Sequence, residues 1–140
     1  MKILIRRLTA FAFTLSFSTF AWPDDLAGKW DLKIEDRDHR VATVLVIEFT
    51  DQRAPSCIAG KWLRVNVVSA TTNDKRFYPS TDPLSYSVEN KQLTIGRNEI
   101  CDAYLMLRGT LNGEVTRGEY FSLGWVSSTP LGFFTLTRER

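Results

Sequence analysis

Residues 27–36, with the sequence AGKWDLKIED, alternate between apolar and polar side chains. Trp30, Leu32 and Ile34 fall on one side of this stretch, and charged side chains occupy the positions between them. Because successive side chains of a β-strand point to opposite faces, a period of two predicts a strand with one buried face. We interpret the stretch as the first strand of an antiparallel barrel.

Residues 1–21, which precede this strand, have the composition of a secretory signal peptide. A basic start is followed by an apolar run over residues 8–17, and Thr19 and Ala21 are small residues at the −3 and −1 positions. Cleavage is therefore predicted before Trp22. The apolar run is shorter than the roughly 20 residues that span a bilayer, which argues against a membrane anchor. We expect bacterial Sec-type export and a periplasmic or secreted protein.

Export changes the charge of the chain. The full sequence has 18 Lys and Arg against 16 Asp and Glu. Removing Lys2, Arg6 and Arg7 with the signal leaves 15 basic and 16 acidic side chains, a net charge of −1. A basic nucleic-acid-binding surface is not supported by this balance. Residues 22–140 have the length of one domain with a modest core.

The chemistry available to this domain is limited. Cys57 and Cys101 are its two cysteines, and in an oxidising compartment an even pair predicts a disulfide; the alternative is two free buried thiols. His39 is the single histidine and lies in a charged turn, where an exposed turn residue is expected rather than a catalytic base. We therefore predict a non-catalytic protein with no metal site and no cofactor.

Further runs of apolar and β-branched residues predict seven more strands. The Asn112-Gly113 dipeptide favours a type I′ hairpin turn, in which both residues take positive φ. Residues 69–83 are the longest irregular segment, and loops of that length are often functional or disordered. Eight short strands predict an all-β, eight-stranded antiparallel up-and-down barrel or a sandwich, and glycines repeated before aromatic residues favour the barrel. The additional strands are predicted at residues 41–50, 57–69, 84–89, 92–97, 101–111, 114–125 and 131–138.

The two ends of the domain carry a resemblance. Gly28-Lys29-Trp30 is similar to the Gly-x-Trp that opens the first strand of the calycin-type barrels, the lipocalins and avidins. Arg138 resembles the lipocalin basic residue that lies over that tryptophan, and residues 131–138 resemble the closing strand of avidins. The resemblance implies a barrel closed by Gly28, Trp30 and Arg138. It implies no specific ligand, and the residues after Trp30 do not support biotin binding.

Aromatic side chains give two hypotheses about function. The first is a binding protein for a small apolar or amphipathic ligand at the barrel mouth, with Phe77, Tyr78, Tyr86 and Trp125 as candidate contacts. The second is a protein-interaction module or an inhibitor of an envelope enzyme, with residues 69–83 as a protruding element. An empty interior favours the first and a filled interior the second. The sequence leaves open whether Trp62 and Trp125 point into the barrel or out of it, as well as the oligomeric state.

Overall fold

The computed structural model describes residues 26–140, so the predicted signal peptide and its cleavage site lie outside the described residues. No helix within the described range is long and apolar enough to cross a membrane. Eight strands account for most of the described chain. Their bounds are β1 Lys29–Asp36, β2 Val41–Arg53, β3 Leu63–Asn73, β4 Leu84–Glu89, β5 Gln92–Gly96, β6 Tyr104–Thr110, β7 Val115–Leu123 and β8 Ser128–Arg138.

The eight strands form a closed barrel in chain order. Each strand pairs antiparallel with the next, and β8 returns to pair with β1 over Trp30↔Arg138 to Asp36↔Gly132. The predicted fold class is therefore confirmed: the protein is an all-β, up-and-down barrel, and this architecture is consistent with a lipocalin-like barrel. Closure of the sheet also explains why the matched residues at the two ends of the sequence meet in space.

The alternation in β1 decides which side chains fill the barrel. Trp30, Leu32 and Ile34 are fully buried and lie opposite inward-facing residues of both β2 and β8. The Phe49 ring links Trp30 to Tyr86 inside the barrel, because it packs edge-on against both, with ring centroids 6.2 and 4.8 Å away. Edge-to-face packing of this kind suits the quadrupoles of aromatic rings. The barrel axis is thus occupied by side chains.

One pair of glycines makes room for a core ring. Gly109 and Gly118 are register partners on β6 and β7, and the Phe134 ring lies against both. A Cβ at Gly118 would come within 2.6 Å of that ring and 2.0 Å of the Arg108 carbonyl oxygen. Gly109 and Gly118 therefore have no side chain because the Phe134 ring and the neighbouring backbone occupy that space.

Two local predictions are wrong. The third strand begins at Leu63 rather than at residue 57, and it continues to Asn73 into the segment predicted as a loop. The type I′ geometry lies at Asn90 and Lys91, which have φ of 51° and 65° and join β4 to β5, whereas only Gly113 of the Asn112-Gly113 pair has positive φ. Local residue preference favoured Asn-Gly, but the two-residue connection between Glu89 and Gln92 demands the tighter turn.

The third strand begins late because residues 54–62 cross the outside of the barrel; we call this segment the strap. The strap is anchored by the Cys57–Cys101 disulfide, with Cα atoms 5.5 Å apart, and by the Cys57 amide donating to the Asn98 carbonyl at 2.9 Å. The predicted disulfide is therefore confirmed, and its Cα spacing is typical of such bonds.

Beneath the strap lies a second apolar cluster, on the outer face of the sheet. Met106 and Phe121 are register partners that point away from the interior, yet they are 2% and 8% exposed. Trp62 and Ile58 of the strap pack against them. The open question about Trp62 is answered. Its side chain lies outside the barrel, where it packs against the outer face beside Met106 and Phe121 and is buried rather than available to a partner.

Candidate functional site

The closed end of the barrel is built by the residues that carried the family resemblance. The Trp30 indole Nε1 donates to the Leu26 carbonyl at 3.1 Å, and the Arg138 guanidinium lies 4.5 Å from the Trp30 ring centroid while donating to the Ala27 carbonyl. Gly28, between these carbonyls and the strand, has φ of 92°, a conformation that side chains disfavour. This arrangement packs the base of the barrel and leaves no space for a ligand beside the indole.

Replacing Arg138 with Met should lower the free energy of unfolding by about 1 to 2 kcal/mol, because it removes a partly buried cation–π contact and a charged hydrogen bond while keeping the aliphatic stem. Urea denaturation followed by tryptophan fluorescence measures the change. Arg117→Met, on the outer face of β7, is the matched control and should change stability by less than about 0.5 kcal/mol. Equal losses in the two variants would contradict a specific role for Arg138.

The opposite end of the barrel is closed by the segment that follows β3, residues 74–83. Tyr78 is fully buried, and Phe77 and Tyr78 both pack edge-on against Tyr120, with ring centroids 5.1 and 5.6 Å away. The Tyr120 hydroxyl donates to the Phe77 carbonyl. The segment thus turns inward and plugs the mouth instead of protruding from it.

Three of the four predicted ligand contacts therefore belong to the packed interior. Phe77 and Tyr78 form the plug, and Tyr86 is 1% exposed with its hydroxyl donating to the Thr50 carbonyl at 2.9 Å. Trp125 lies elsewhere, on a different loop. The structure brings Phe77 and Tyr78 together with Tyr120, which the sequence did not single out as a site residue, and it separates them from Trp125.

The two plug-end tyrosines differ in their hydrogen bonding. The Tyr78 hydroxyl is buried and has no partner among residues 26–140, whereas the Tyr120 hydroxyl has one. Burial raises the pKa of Tyr78 strongly, and the Tyr120 phenol adds to that rise. Burial also raises the pKa of Tyr120, and the nearby Arg97 guanidinium opposes it. Both phenols are therefore held neutral.

Removing each hydroxyl should have opposite effects. Tyr78→Phe should leave stability unchanged or raise it by up to about 1 kcal/mol, because it removes an unpaired buried oxygen, whereas Tyr120→Phe should lower it by about 1 kcal/mol. A phenol whose pKa is raised by folding contributes stability that is present below its unfolded pKa near 10 and is lost as pH rises above that value. Urea denaturation at pH 8 and pH 11 tests both statements: each Phe variant should lose less stability at pH 11 than the parent protein. If both Phe variants lost as much stability between pH 8 and pH 11 as the parent protein does, the raised pKa of these two phenols would be contradicted.

The most exposed apolar side chains of the described chain lie together at one hairpin. Trp125 and Val126 are each 97% exposed in the short connection between β7 and β8, which is closed by the Gly124 amide donating to the Ser127 carbonyl at 3.0 Å. We call residues 124–127 the hairpin tip. Residues 120–137, which contain it, include no charged side chain. A large indole held in water on a rigid turn is the type of residue found in binding interfaces.

An apolar cleft of about 310 Å³ lies directly beside the hairpin tip. One wall is the strap, which contributes Ile58 and the disulfide, and the other is the start of β6 and the end of β7. Sequence reasoning missed this cleft because its walls are far apart in the chain and are brought together by the Cys57–Cys101 bond and the packing of the strap. The lining residues are Cys57, Ile58, Asp102, Tyr104, Leu123, Gly124 and Trp125.

A second cleft, of about 410 Å³, lies on the outer face of β1, β7 and β8 around Phe133. His39 stacks on the Phe133 ring with centroids 4.7 Å apart and an interplanar angle of 9°. Its Nδ1 is 3.3 Å from the Glu35 carboxylate, whose pKa is lowered chiefly by the hydrogen bond from Lys33. His39 is thus an exposed turn residue packed on a ring. No group of three or more potential metal ligands occurs within residues 26–140.

Comparisons with known proteins add no assignment to this geometry. No protein-family model, curated protein or solved structure matches the chain. The fold and the site therefore define the protein only by class: a disulfide-bonded, eight-stranded antiparallel barrel with a plugged mouth and an exposed apolar hairpin tip.

Proposed function

We propose that this protein is an exported, non-catalytic interaction module that binds an envelope protein through the hairpin tip. Trp125 and Val126 insert into an apolar pocket of the partner, and the cleft beside the disulfide receives an apolar side chain in return. The observation that carries the proposal is the 97% exposure of both tip residues on a closed turn, next to an apolar cleft.

The energetics favour the tip as the anchor. Fully burying an aromatic or aliphatic side chain contributes about 1.5 to 3 kcal/mol each, and tryptophan is among the residues that dominate interfaces. The hydrogen bond that closes residues 124–127 holds the turn, so little conformational entropy is lost when a partner packs on it. Residues 120–137 carry no charge, so the hairpin itself brings no ionised group that has to be desolvated on binding. The lining of the cleft does include one carboxylate, Asp102, whose side chain is 61% exposed.

A small apolar ligand is the second candidate, because the volume of the cleft lies at the lower end of the range typical of ligand pockets. Such a ligand would bind outside the barrel, between the strap and Trp125. The mouth hypothesis for the interior is less well supported, since Phe77, Tyr78 and Tyr86 fill the space that an internal ligand needs.

The location in the cell is part of the proposal. A disulfide that ties the strap to the barrel fits an oxidising compartment, and the N-terminal sequence has the pattern of a bacterial export signal. We therefore place the protein in the periplasm or outside the cell, where its partner is an envelope protein or enzyme. The net charge of the exported chain, near zero, gives no reason to expect nucleic acid as a partner.

Position-specific photo-crosslinking tests the proposal. A photoreactive phenylalanine analogue at position 125 in intact cells should give one discrete protein adduct, and the same analogue at Phe133, which is 38% exposed on the outer face of β8, should not. Trp125→Ala, expressed beside the crosslinking variant, should fail to compete for the adduct, whereas wild-type protein should compete. A small-molecule adduct alone would support the second candidate. No adduct at position 125, or the same adduct at both positions, would overturn the interaction proposal.

A further inference from the structure

One strand of the barrel is paired on both sides over only part of its length. β3 pairs with β2 from Leu63 to Asn73, but it pairs with β4 only through Leu63, Arg64 and Val65. The remaining residues of β3 extend beyond the start of β4. We call the β4-facing side of residues 66–72 the open edge.

Nothing in the described chain covers the open edge with hydrogen bonds. Within residues 26–140, no backbone or side-chain hydrogen bond outside the ladder with β2 involves residues 66–72. The segment that follows the strand turns into the barrel mouth, where Tyr78 is buried, and its backbone hydrogen bonds go to Ala42 and within the segment rather than to residues 66–72. Most of the stretch is exposed, including Val68 at 46%. Backbone amides and carbonyls on such an edge are a template for another strand.

The sequence of the open edge lacks the usual protection against strand addition. Residues 66–72 read NVVSATT, which contains four β-branched residues and neither a charged residue nor a proline. Edge strands normally carry lysine, proline or inward-pointing charge to prevent pairing with another chain. The ladder with β2 shifts register at Val68 and Thr71, and these irregularities are the one protective feature present.

We propose that the open edge pairs with the open edge of a second copy of this chain, antiparallel and around a two-fold axis at Ser69. Ser69 is the midpoint of residues 66–72, so this register gives the longest overlap, with Asn66 opposite the Thr72 of the other copy. We commit to a second copy as the partner strand because residues 66–72 carry no charge, so pairing the edge with its own copy places no like charges opposite each other. Cross-strand pairs that are uncharged or opposite in charge stabilise a sheet, whereas like charges directly across from each other destabilise it.

The residues that flank the open edge support the same register. Arg64 and Asp74 lie five positions to either side of Ser69, so an antiparallel pair places the Arg64 end of one copy beside the Asp74 end of the other. Their charges are opposite and each is paired within its own copy, Arg64 with Glu99 and Asp74 with Arg76, so the flanks bring no uncompensated like charges together.

Two-fold pairing also limits the size of the assembly. Each copy brings its open edge on β3 to the pair, and the pair consumes both, so association through this edge stops at a dimer instead of continuing into a fibre. The register shifts at Val68 and Thr71 lie inside this stretch and increase its local twist, which keeps the paired segment short. The hairpin tip lies on the connection between β7 and β8, away from β3, so the dimer presents two tips. This inference does not depend on the proposed function.

Sedimentation velocity of the disulfide-bonded, exported protein tests the pairing. Wild-type protein should sediment as a dimer at micromolar or higher concentrations. Ser69→Lys and Ser69→Glu should each be monomeric alone, because like charges then meet at the two-fold axis, and mixing the two should restore a dimer that contains one of each. Thr110→Lys, at an exposed residue of β6 that pairs with β5, is the matched control and should remain dimeric.

The variants also separate this face from others. Far-UV circular dichroism and an intact disulfide by mass spectrometry establish that each Ser69 variant is folded. A wild-type protein that is monomeric at 100 μM or above would overturn the proposal. So would a dimer that persists in Ser69→Lys, or one that is lost in Trp125→Ala, since the latter would place the contact at the hairpin tip.

Discussion

Replacing both Cys57 and Cys101 with serine is expected to lower the free energy of unfolding by about 4 kcal/mol. The two cysteines are 44 residues apart, and the bond removes the loop-closure entropy of that length from the unfolded chain. The loss should be accompanied by partial release of the strap, which would expose Met106 and Phe121 on the outer face of the barrel. Urea denaturation measures the first effect, and binding of a hydrophobic dye to the native state measures the second.

The control for this prediction is chemical reduction. Reductant should destabilise the parent protein by a similar amount and should leave the double-serine variant unchanged. Dye binding by the reduced parent should match that of the variant. If the midpoint of unfolding were the same with and without the bond, the packing of Trp62 and Ile58 and the hydrogen bond from the Cys57 amide to the Asn98 carbonyl would have to be sufficient to hold the strap.

Trp30→Ala is expected to cost about 3 to 5 kcal/mol, the range for removing a fully buried large side chain. The indole is 0% exposed, carries the cation–π contact with Arg138 and packs against Phe49, so no neighbouring group can fill the space without losing its own contacts. Thermal and urea denaturation measure the loss. With a marginally stable small domain, the variant should be largely unfolded at 37 °C.

Trp125→Ala is the matched control for that prediction, because it makes the same chemical change at a residue that is 97% exposed. Its free energy of unfolding should lie within about 0.5 kcal/mol of the parent value. The same variant should lose the crosslinking competition described above, so one substitution separates binding from stability. A large destabilisation by Trp125→Ala would mean that the hairpin tip packs on the barrel.

Much of the fold could be predicted from local periodicity. The alternation around Trp30 identified β1 and its buried face. Closure of β1 on β8 was implied by the resemblance of Gly28, Trp30 and Arg138 to residues of calycin-type barrels. Leu84–Glu89 was predicted with its observed bounds because the run is short, alternating and flanked by Pro83 and a tight turn. These features depend on neighbours in the chain or on the requirement that an eight-stranded sheet close on itself.

The parts that were missed depend on contacts between distant residues. Residues 57–62 were included in the third strand because they run directly into the alternating residues that follow. The disulfide to Cys101 and the packing of Ile58 instead draw the strap across the outer face, so β3 begins only at Leu63. Phe77, Tyr78 and Tyr86 were predicted as ligand contacts at the mouth, because periodicity cannot distinguish a side chain that lines a cavity from one that fills it. The cleft beside Trp125 had no sequence signal, because its walls come from the strap, β6 and β7.

The strap also determines when the protein becomes able to bind its proposed partner. One wall of the cleft beside the hairpin tip consists of Cys57 and Ile58, and these residues are held there by a bond that reducing conditions do not allow to form. Under the proposed function, a chain still in the cytoplasm therefore has the tryptophan but lacks a complete recognition surface. Oxidation after export then acts as a maturation step, which ties partner binding to the compartment in which the partner resides.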